Sequence, residues 1–145
     1  MSDQQTPKKP HIIKTDVIII GGGQSGLSLA ALLGNAQIDT ICIDRDDPKL
    51  QQTEQFDLRT TAISFGSTRV LDAAGVWDTL LTGACPIKNI DILDSQSPVL
   101  LKFLIDSVEQ DAFGWIINNR DMRKALQERI ETLESVQHIA PDGAV

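Results

Sequence analysis

The clearest pattern of apolar positions is a β-branched run near the start of the chain. Residues 16–20 (DVIII) have no polar alternation and end at a glycine, which predicts a strand buried on both faces, as in a parallel sheet. Residues 27–33 predict a helix that ends at Gly34 and Asn35. Residues 40–44 (TICID) predict a second strand. Strand, helix and strand together indicate the first unit of a doubly wound α/β sheet.

Weaker patterns follow the second strand. Residues 46–55 are polar and contain a proline, which predicts an exposed loop. The β-branched residues of 60–63 predict a short strand, after which Ser64 can cap a helix that ends at Gly75. Residues 77–81 predict a further helical turn.

The pattern changes again at Pro86. Two apolar stretches, IKNIDILD and PVLLKFLID, are separated by SQS at 95–97 and predict an antiparallel hairpin that begins a second sheet. Residues 113–117 predict a third strand. Residues 121–133 predict a helix with one apolar stripe, and 136–139 a strand that returns to the first sheet.

These elements divide the chain into four parts. We expect a flexible tail over 1–14 and a Rossmann-like nucleotide-binding βαβ core over 15–85. We expect the start of an inserted antiparallel sheet over 86–118, and a helix and strand that return to the core over 119–145. Because the sequence stops soon after a strand without a closing helix, we expect a truncated domain.

Composition narrows the function classes. The 145 residues carry a formal net charge of −7, which argues against a nucleic-acid surface, because such surfaces need clustered Lys and Arg. Cys42 and Cys85 lack the CxxC or histidine neighbours of a zinc site, and we expect both to be reduced and buried. No apolar run approaches the ~20 residues that span a bilayer, so we expect a cytoplasmic protein with at most peripheral membrane contact.

The residues with the clearest chemical meaning lie between the first strand and the first helix. Gly21, Gly23 and Gly26 have the GxGxxG spacing, which serves a tight turn, close approach of backbone to pyrophosphate and close packing of helix on strand. The first amides of a helix lack intrahelical partners and lie at the positive end of its dipole. We therefore predict that the backbone N–H groups of Gln24, Ser25 and Gly26 bind a dinucleotide pyrophosphate.

The end of the second strand indicates which dinucleotide is held. Asp44 follows Gly21 at the distance where a carboxylate accepts hydrogen bonds from the adenosine ribose hydroxyls. A carboxylate there repels a 2′-phosphate, which favours FAD or NAD over NADP. Arg45 can stack on adenine or remain solvated, and the sequence leaves both open.

Four later segments carry a resemblance to a known family. They are DLRTTAIS (57–64), GVWDTL (75–80), PIKNIDILD (86–94) and FGWIINNRDMRKAL (113–126). In this order and spacing they resemble the ubiquinone-biosynthesis hydroxylases, the 2-octaprenylphenol hydroxylase branch of the FAD-dependent aromatic monooxygenases. The resemblance covers nearly all of the chain after residue 14.

The resemblance implies an enzyme that hydroxylates the aromatic ring of a polyprenyl phenol through a flavin hydroperoxide, with FAD as cofactor and NADPH or NADH as electron donor. It implies that Arg59 helps to hold the FAD pyrophosphate, as a planar guanidinium can, and that Arg120 contacts FAD. It also implies peripheral contact with the inner face of the membrane and association with other ubiquinone-biosynthesis proteins. No catalytic side chain is assigned, because the reactive group belongs to the cofactor.

Relatives of this type carry a later Gly-Asp motif and most of a substrate domain, and this sequence stops before both. We therefore expect the chain to hold the ADP half of a flavin site and to have little or no hydroxylase activity alone. Three alternatives stay open. One is an NAD-dependent dehydrogenase, which would not explain Arg59. The others are a different FAD-dependent enzyme, such as a halogenase or polyprenyl reductase, and a non-catalytic nucleotide-binding remnant.

Overall fold

A computed structural model of the chain describes residues 12–51, 53, 57–92, 101–105 and 111–143. Helices and strands alternate through most of this length. In chain order they are β1 (Val17–Ile20), α1 (Gln24–Asn35), β2 (Thr40–Ile43), α2 (Pro48–Gln51), β3 (Thr60–Ser64), α3 (Phe65–Ala73), α4 (Trp77–Leu81), β4 (Cys85–Ile87), β5 (Asn89–Ile92), β6 (Leu101–Leu104), β7 (Gly114–Asn118), α5 (Asn119–Glu131) and β8 (Val136–Ile139).

The first sheet confirms the predicted βαβ unit. Its strand order is β1-β2-β8, and both pairings are parallel. Helices α1 and α5 pack against each other and against one face of this sheet. The core between them is formed by Ile19 and Cys42 from the strands, Leu27 and Ala30 from α1, and Leu126 from α5. The strand at 136–139 returns to the first sheet as expected, and the fold is of the α/β class.

One expectation about this sheet is wrong. Strand β1 is not buried on both faces, because Ile18 is 59% exposed and Ile20 is 64% exposed. These side chains point away from α1, and β1 lies at an edge of the sheet with no described element over that face. The unbroken apolar run of β1 predicts apolar neighbours on both faces of the strand. Among the described residues, only the face that carries Ile19 is covered.

The remaining strands form two antiparallel sheets. One has the order β3-β7-β4, and the other is the β5-β6 hairpin, in which Asn89 pairs with Leu104. The predicted hairpin pairing is thus confirmed, while its SQS turn lies outside the described residues. The stretch that begins at Pro86 divides at Lys88, and its first part joins β7 in β4. The β3-β7-β4 sheet contains strands from both sides of the predicted domain boundary at residue 86, because β3 precedes this residue and β7 follows it. The division into domains stays a prediction.

Helix α1 is longer than predicted at both ends. It begins at Gln24, directly after the glycine turn, and its last residue is Asn35, so Gly34 lies within the helix instead of ending it. A Cβ at Gly34 would approach Val136 Cγ2 to 2.5 Å, so this glycine permits close packing of α1 on β8. The chain leaves the helix through Gln37, whose φ of 59° takes the left-handed role expected of a glycine.

Later boundaries agree better with the sequence. Ser64 accepts a hydrogen bond from the Ser67 backbone N–H at 3.2 Å, as a helix cap should, and Gly75 has a φ of 81° after α3.

Cys42 is buried, but Cys85 is exposed, which corrects the expectation that both are buried. Among the described residues, no helix has the length and apolar character needed to cross a membrane.

Candidate dinucleotide-binding site

The glycine turn between β1 and α1 is shaped by two of its glycines. Gly21 has a φ of +105°, a conformation that side chains disfavour. A Cβ on Gly26 would overlap the carbonyl oxygen of Gly21, so the first turn of α1 can only sit this close to the strand with glycine there. Gly21 also donates its backbone N–H to the Ile43 carbonyl at 2.8 Å, which fixes the turn on β2.

Gly23 differs from the other glycines of the turn. It is the N-cap of α1 in extended conformation, and its φ of −73° suits any residue. A Cβ on Gly23 would meet no described atom within 4 Å, so packing within the described chain does not require glycine here. The space beside it is where a ligand would approach the first amides of α1. A pyrophosphate fits this opening, because it needs backbone donors and room instead of a side chain.

An open cavity of about 480 Å³ lies in front of this turn. The predicted residues Gly21, Gly23, Gln24, Ser25 and Gly26 line it, and so does Arg59 from the segment before β3. The structure therefore brings together six of the nine predicted site residues. The cavity is also lined by residues that the sequence analysis did not select: Ile19, Ile20, Thr61, Asn119 and Arg123.

Asp57 links several of these additional residues. Its Oδ1 accepts the backbone N–H and Nε–H of Arg59 at 3.0 and 2.9 Å. Its Oδ2 accepts Arg59 Nη2, Asn119 Nδ2 and Arg123 Nη1, each at 3.0 Å. These donors, Arg59 first, hold the pKa of Asp57 far below its usual range. The Asp57 carboxylate in turn raises the pKa of Arg59.

The sequence contained a signal for this cluster. Asp57 and Arg59 lie two residues apart in DLR, and Asn119 and Arg123 lie four apart, the spacing at which side chains share a helix face. The predicted helix begins only at Asp121, so Asn119 falls outside it. The missing information was that β3 and β7 pair, with Thr60 opposite Asn118. That pairing places the residue before β3 beside the first turn of α5.

Asp44 lies on the other side of the glycine turn. A Cβ on Gly22 would come within 2.7 Å of Asp44 Oδ2 and 2.9 Å of His138 Nε2, so glycine at this position makes room for both side chains. Asp44 Oδ1 accepts the backbone N–H of Asp46 at 3.0 Å. This places a carboxylate at the end of β2, next to the turn, as the ribose prediction requires.

The predicted loop over 46–55 contains a buried polar contact that the sequence analysis missed. Residues Pro48–Gln51 form α2, and Gln51 is buried instead of exposed. Gln51 donates from Nε2 to Asp44 Oδ2 at 3.3 Å and accepts from Gln127 Nε2 at 3.1 Å. A chain of two buried amides thus connects Asp44 to α5 and fixes the carboxylate.

Two predicted arginines lie outside the cavity. The side chain of Arg45 is 87% exposed, and its Nε lies 3.8 Å from Asp46 Oδ1, which agrees with the solvated alternative. Arg120 Nε lies 3.4 Å from Asp121 Oδ1 on α5, and Arg120 lines a neighbouring hollow with Asp57, Leu58 and Asn118. Neither arginine joins the residues at the glycine turn, and their cofactor contacts stay predictions.

Comparison with known proteins decides which dinucleotide the fold serves. The family model for the FAD binding domain matches residues 14–138. The chain belongs to this FAD-binding family. The match supports FAD as the cofactor, and the glycine turn, Asp44 and Arg59 all lie within the matched residues.

Individual relatives narrow the similarity further. The chain is 33% identical over 126 residues to ubiquinone hydroxylase UbiL of Rhodospirillum rubrum, a match that covers 87% of this chain and 29% of UbiL. It is 26% identical to ubiquinone hydroxylase UbiM of Neisseria meningitidis, covering 86% of this chain and 28% of UbiM. The chain therefore spans less than a third of these curated relatives.

A solved structure has the same fold. A variant of PqsL from P. aeruginosa superposes with a TM-score of 0.68 at 24% identity, over 86% of this chain and 33% of PqsL. At this identity the similarity concerns the fold alone.

Two titratable groups lie beneath the glycine turn. Burial, assisted by the Asp44 carboxylate, raises the pKa of Cys42 to about 11, so this thiol stays protonated and unreactive at neutral pH. Burial lowers the pKa of His138, although Asp44 and Glu131 act in the opposite direction. His138 is therefore neutral at neutral pH.

Proposed function

We propose that this chain is the ADP-binding portion of an FAD-dependent monooxygenase that hydroxylates the aromatic ring of a polyprenyl phenol in ubiquinone biosynthesis. The observation that carries the proposal is the turn at Gly23, where backbone amides, Arg59 and open space converge on one cavity. Membership of the FAD-binding family and similarity to the ubiquinone hydroxylases UbiL and UbiM support it.

In this proposal the chain binds and orients the adenosine end of FAD. The amides of Gln24, Ser25 and Gly26 donate to the pyrophosphate, and Arg59 adds charge-assisted hydrogen bonds. Asp44 accepts from the ribose hydroxyls and disfavours a 2′-phosphate. When bound, FAD supplies the redox chemistry by passing electrons from a reduced nicotinamide to O₂.

The electron donor and the substrate rest on resemblance and on the names of the relatives. We propose NADPH or NADH as the donor and a polyprenyl phenol as the substrate. Because a polyprenyl tail partitions into lipid, we also propose peripheral contact with a membrane. From the resemblance we propose association with other ubiquinone-biosynthesis proteins.

Co-sedimentation with anionic lipid vesicles, with and without a polyprenyl phenol, tests the membrane contact. Recovery in the supernatant under both conditions contradicts it.

Cofactor binding is tested by titrating the 145-residue chain with FAD and with ADP and following flavin fluorescence and binding heat. We expect ADP and FAD to bind with similar, modest affinity, because the described site contacts the ADP half. After gel filtration, little flavin absorbance should remain with the chain. Stoichiometric flavin after filtration would contradict the view that this chain holds only half of the site.

The reaction is tested in a ubiquinone-deficient bacterium that expresses the complete open reading frame containing this segment. Under ¹⁸O₂ the proposal predicts a polyprenyl phenol that is heavier by one ¹⁸O atom. A Gly26→Val variant of the same reading frame is the control. Addition of two hydrogens would indicate a reductase, and an unchanged lipid profile would favour a non-catalytic remnant.

A further inference from the structure

A buried carboxylate beside a phosphate site is unexpected, and Asp57 is such a group. Its side chain is 3% exposed, and it accepts hydrogen bonds from residues that line the cavity in front of Gly23. By charge alone it would repel a pyrophosphate. Its hydrogen bonds point to a different role.

The Asp57 carboxylate is saturated. Two carboxylate oxygens offer about four lone-pair positions, and five donors already occupy them: three from Arg59, one from Asn119 and one from Arg123. A carboxylate with these partners has little capacity to accept a ligand hydroxyl or a metal ion. It also stays ionised across the physiological range, since its pKa is held far below the usual value.

What the carboxylate does is hold two guanidinium groups from distant segments. Arg59 precedes β3 and its side chain is 79% exposed, whereas Arg123 belongs to α5 and its side chain is 13% exposed. Both line the cavity, and Asp57 bonds both within 3.0 Å. An exposed arginine without such a partner samples many rotamers, and fixing it on binding costs conformational entropy.

Asn119 completes the arrangement. It is buried, its Nδ2 donates to Asp57, and its backbone N–H donates to the Arg59 carbonyl at 3.1 Å. Thr61 Oγ1 in turn donates to Asn119 Oδ1. The segment 57–59 is therefore attached to the first turn of α5 through backbone and side chain together.

We propose that Asp57 is a positioning residue that presents Arg59 and Arg123 together to the dinucleotide pyrophosphate, and that Arg123 is a second phosphate ligand. The cluster carries one negative and two positive charges, so its net charge toward a ligand is positive. Two of the five side-chain N–H groups of Arg59 bond Asp57, which leaves three for other acceptors. This inference rests on the proposed binding of FAD by this turn.

The two roles of Asp57 are distinguished by whether removing its charge strengthens or weakens the binding of FAD and ADP. If Asp57 acted only through its charge, Asp57→Asn would tighten the binding of an anionic ligand. If Asp57 positions the arginines, the same variant weakens FAD and ADP by at least about tenfold, the equivalent of one charge-assisted hydrogen bond. Adenosine, which lacks the pyrophosphate, should bind both proteins equally.

The experiment is a calorimetric titration of the 145-residue chain with FAD, ADP and adenosine. Glu128→Gln is the matched control, because it removes one negative charge from an exposed carboxylate that pairs with Lys124 on α5, outside the cavity. It should leave all three affinities within about twofold of the original chain. An original chain that binds none of the ligands would refute the proposed cofactor site, whereas unchanged or tighter FAD binding by Asp57→Asn would refute only the positioning role.

A second set of variants covers the case in which Asp57→Asn fails to fold. Arg123→Met should weaken FAD and ADP by about tenfold and leave adenosine unchanged. Equal binding of FAD by Arg123→Met and the original chain would overturn the assignment of Arg123. In an Arg59→Met, Arg123→Met background, adding Asp57→Asn should change FAD affinity by less than about twofold, because Asp57 acts through the two arginines. A further large loss there would contradict the inference.

Discussion

Two aspartates flank the glycine turn with the same burial and different hydrogen-bond partners. Counted over backbone and side chain together, Asp44 and Asp57 are each 8% exposed. Asp44 accepts from one backbone amide and one glutamine, whereas Asp57 accepts from two arginines and an asparagine. Burial alone therefore does not define what a carboxylate does at this site.

The partners account for the difference. Neutral donors fix the Asp44 carboxylate and use part of its accepting capacity, so it can still accept the hydroxyls of a ribose. Cationic donors saturate Asp57 and lower its pKa, and on this basis we propose that it orients the two arginines. In the proposed function, Asp44 serves the ribose side of the turn and Asp57 serves the pyrophosphate side.

The largest expected effect comes from breaking the turn that separates the two aspartates. Gly26→Ala places a methyl group against the Gly21 carbonyl, which should lower the free energy of unfolding by about 1–3 kcal/mol and abolish binding of both adenosine and ADP. Chemical denaturation and calorimetry measure the two quantities.

Gly23→Ala is the control for that substitution. Its methyl group meets no described atom, so stability should change little while ADP affinity falls, because the methyl occupies space beside the helix amides. If Gly23→Ala binds ADP normally, the open space beside Gly23 does not admit the pyrophosphate.

The next effect separates the ribose side from the pyrophosphate side. Asp44→Asn should weaken adenosine and ADP alike, each by about tenfold, because one charge-assisted hydrogen bond to the ribose is lost. It should also reduce the preference for ADP over adenosine 2′,5′-bisphosphate, since the repulsive charge is gone. Competition binding with the two nucleotides measures this. A variant that still discriminates fully would show that Asp44 does not face the ribose.

A smaller effect is expected from the amide chain behind Asp44. Gln51→Met leaves the buried Gln127 amide without its Gln51 partner and should lower the free energy of unfolding by about 1–3 kcal/mol. Adenosine affinity should fall only a few-fold, because Asp46 still holds Asp44. Lys49→Met on the same short helix is the control and should alter neither quantity. Unchanged stability of Gln51→Met would mean that the buried chain contributes nothing.

The smallest effect is the pH dependence of stability through His138. Its pKa is lowered in the folded chain, so the unfolded chain takes up a proton near pH 6.5 and the folded chain does so only at lower pH. Stability is therefore full above pH 6.5 and falls below it, by at most about 1.4 kcal/mol per pH unit. Denaturation of the original chain and of His138→Gln between pH 7.5 and 5.5 should differ in slope. The Asp57 contribution is lost only below about pH 4, outside this window.

The sequence predicted the local parts of this site and missed the parts that depend on strand pairing. The turn, α1 and Asp44 follow one another within a single βαβ unit, so spacing alone placed them. Arg59 required a resemblance to a family, because its neighbours at the turn lie more than thirty residues earlier in the sequence. Arg123 depends on the β3 and β7 pairing, which no local pattern encodes.

The errors have the same origin. Gln51 looked like a loop residue because polar composition does not reveal a buried amide chain. Gly34 looked like a helix terminus, but its role is close contact with β8, an element about a hundred residues later. Local chemistry thus predicted the backbone of the site, and tertiary contacts decided which side chains reach it.

The most direct test of the account maps ADP onto the 145-residue chain by amide chemical-shift perturbation. The account predicts the largest shifts at the amides of Gln24, Ser25 and Gly26 and at the Arg59 Nε–H. A further shift is expected at the amide of Asp46, which donates to the Asp44 carboxylate that the proposal assigns to the ribose. Residues of the β5 and β6 hairpin should not shift. Saturation with ADP that leaves the amides of the glycine turn unchanged would contradict the central claim that this turn binds the pyrophosphate.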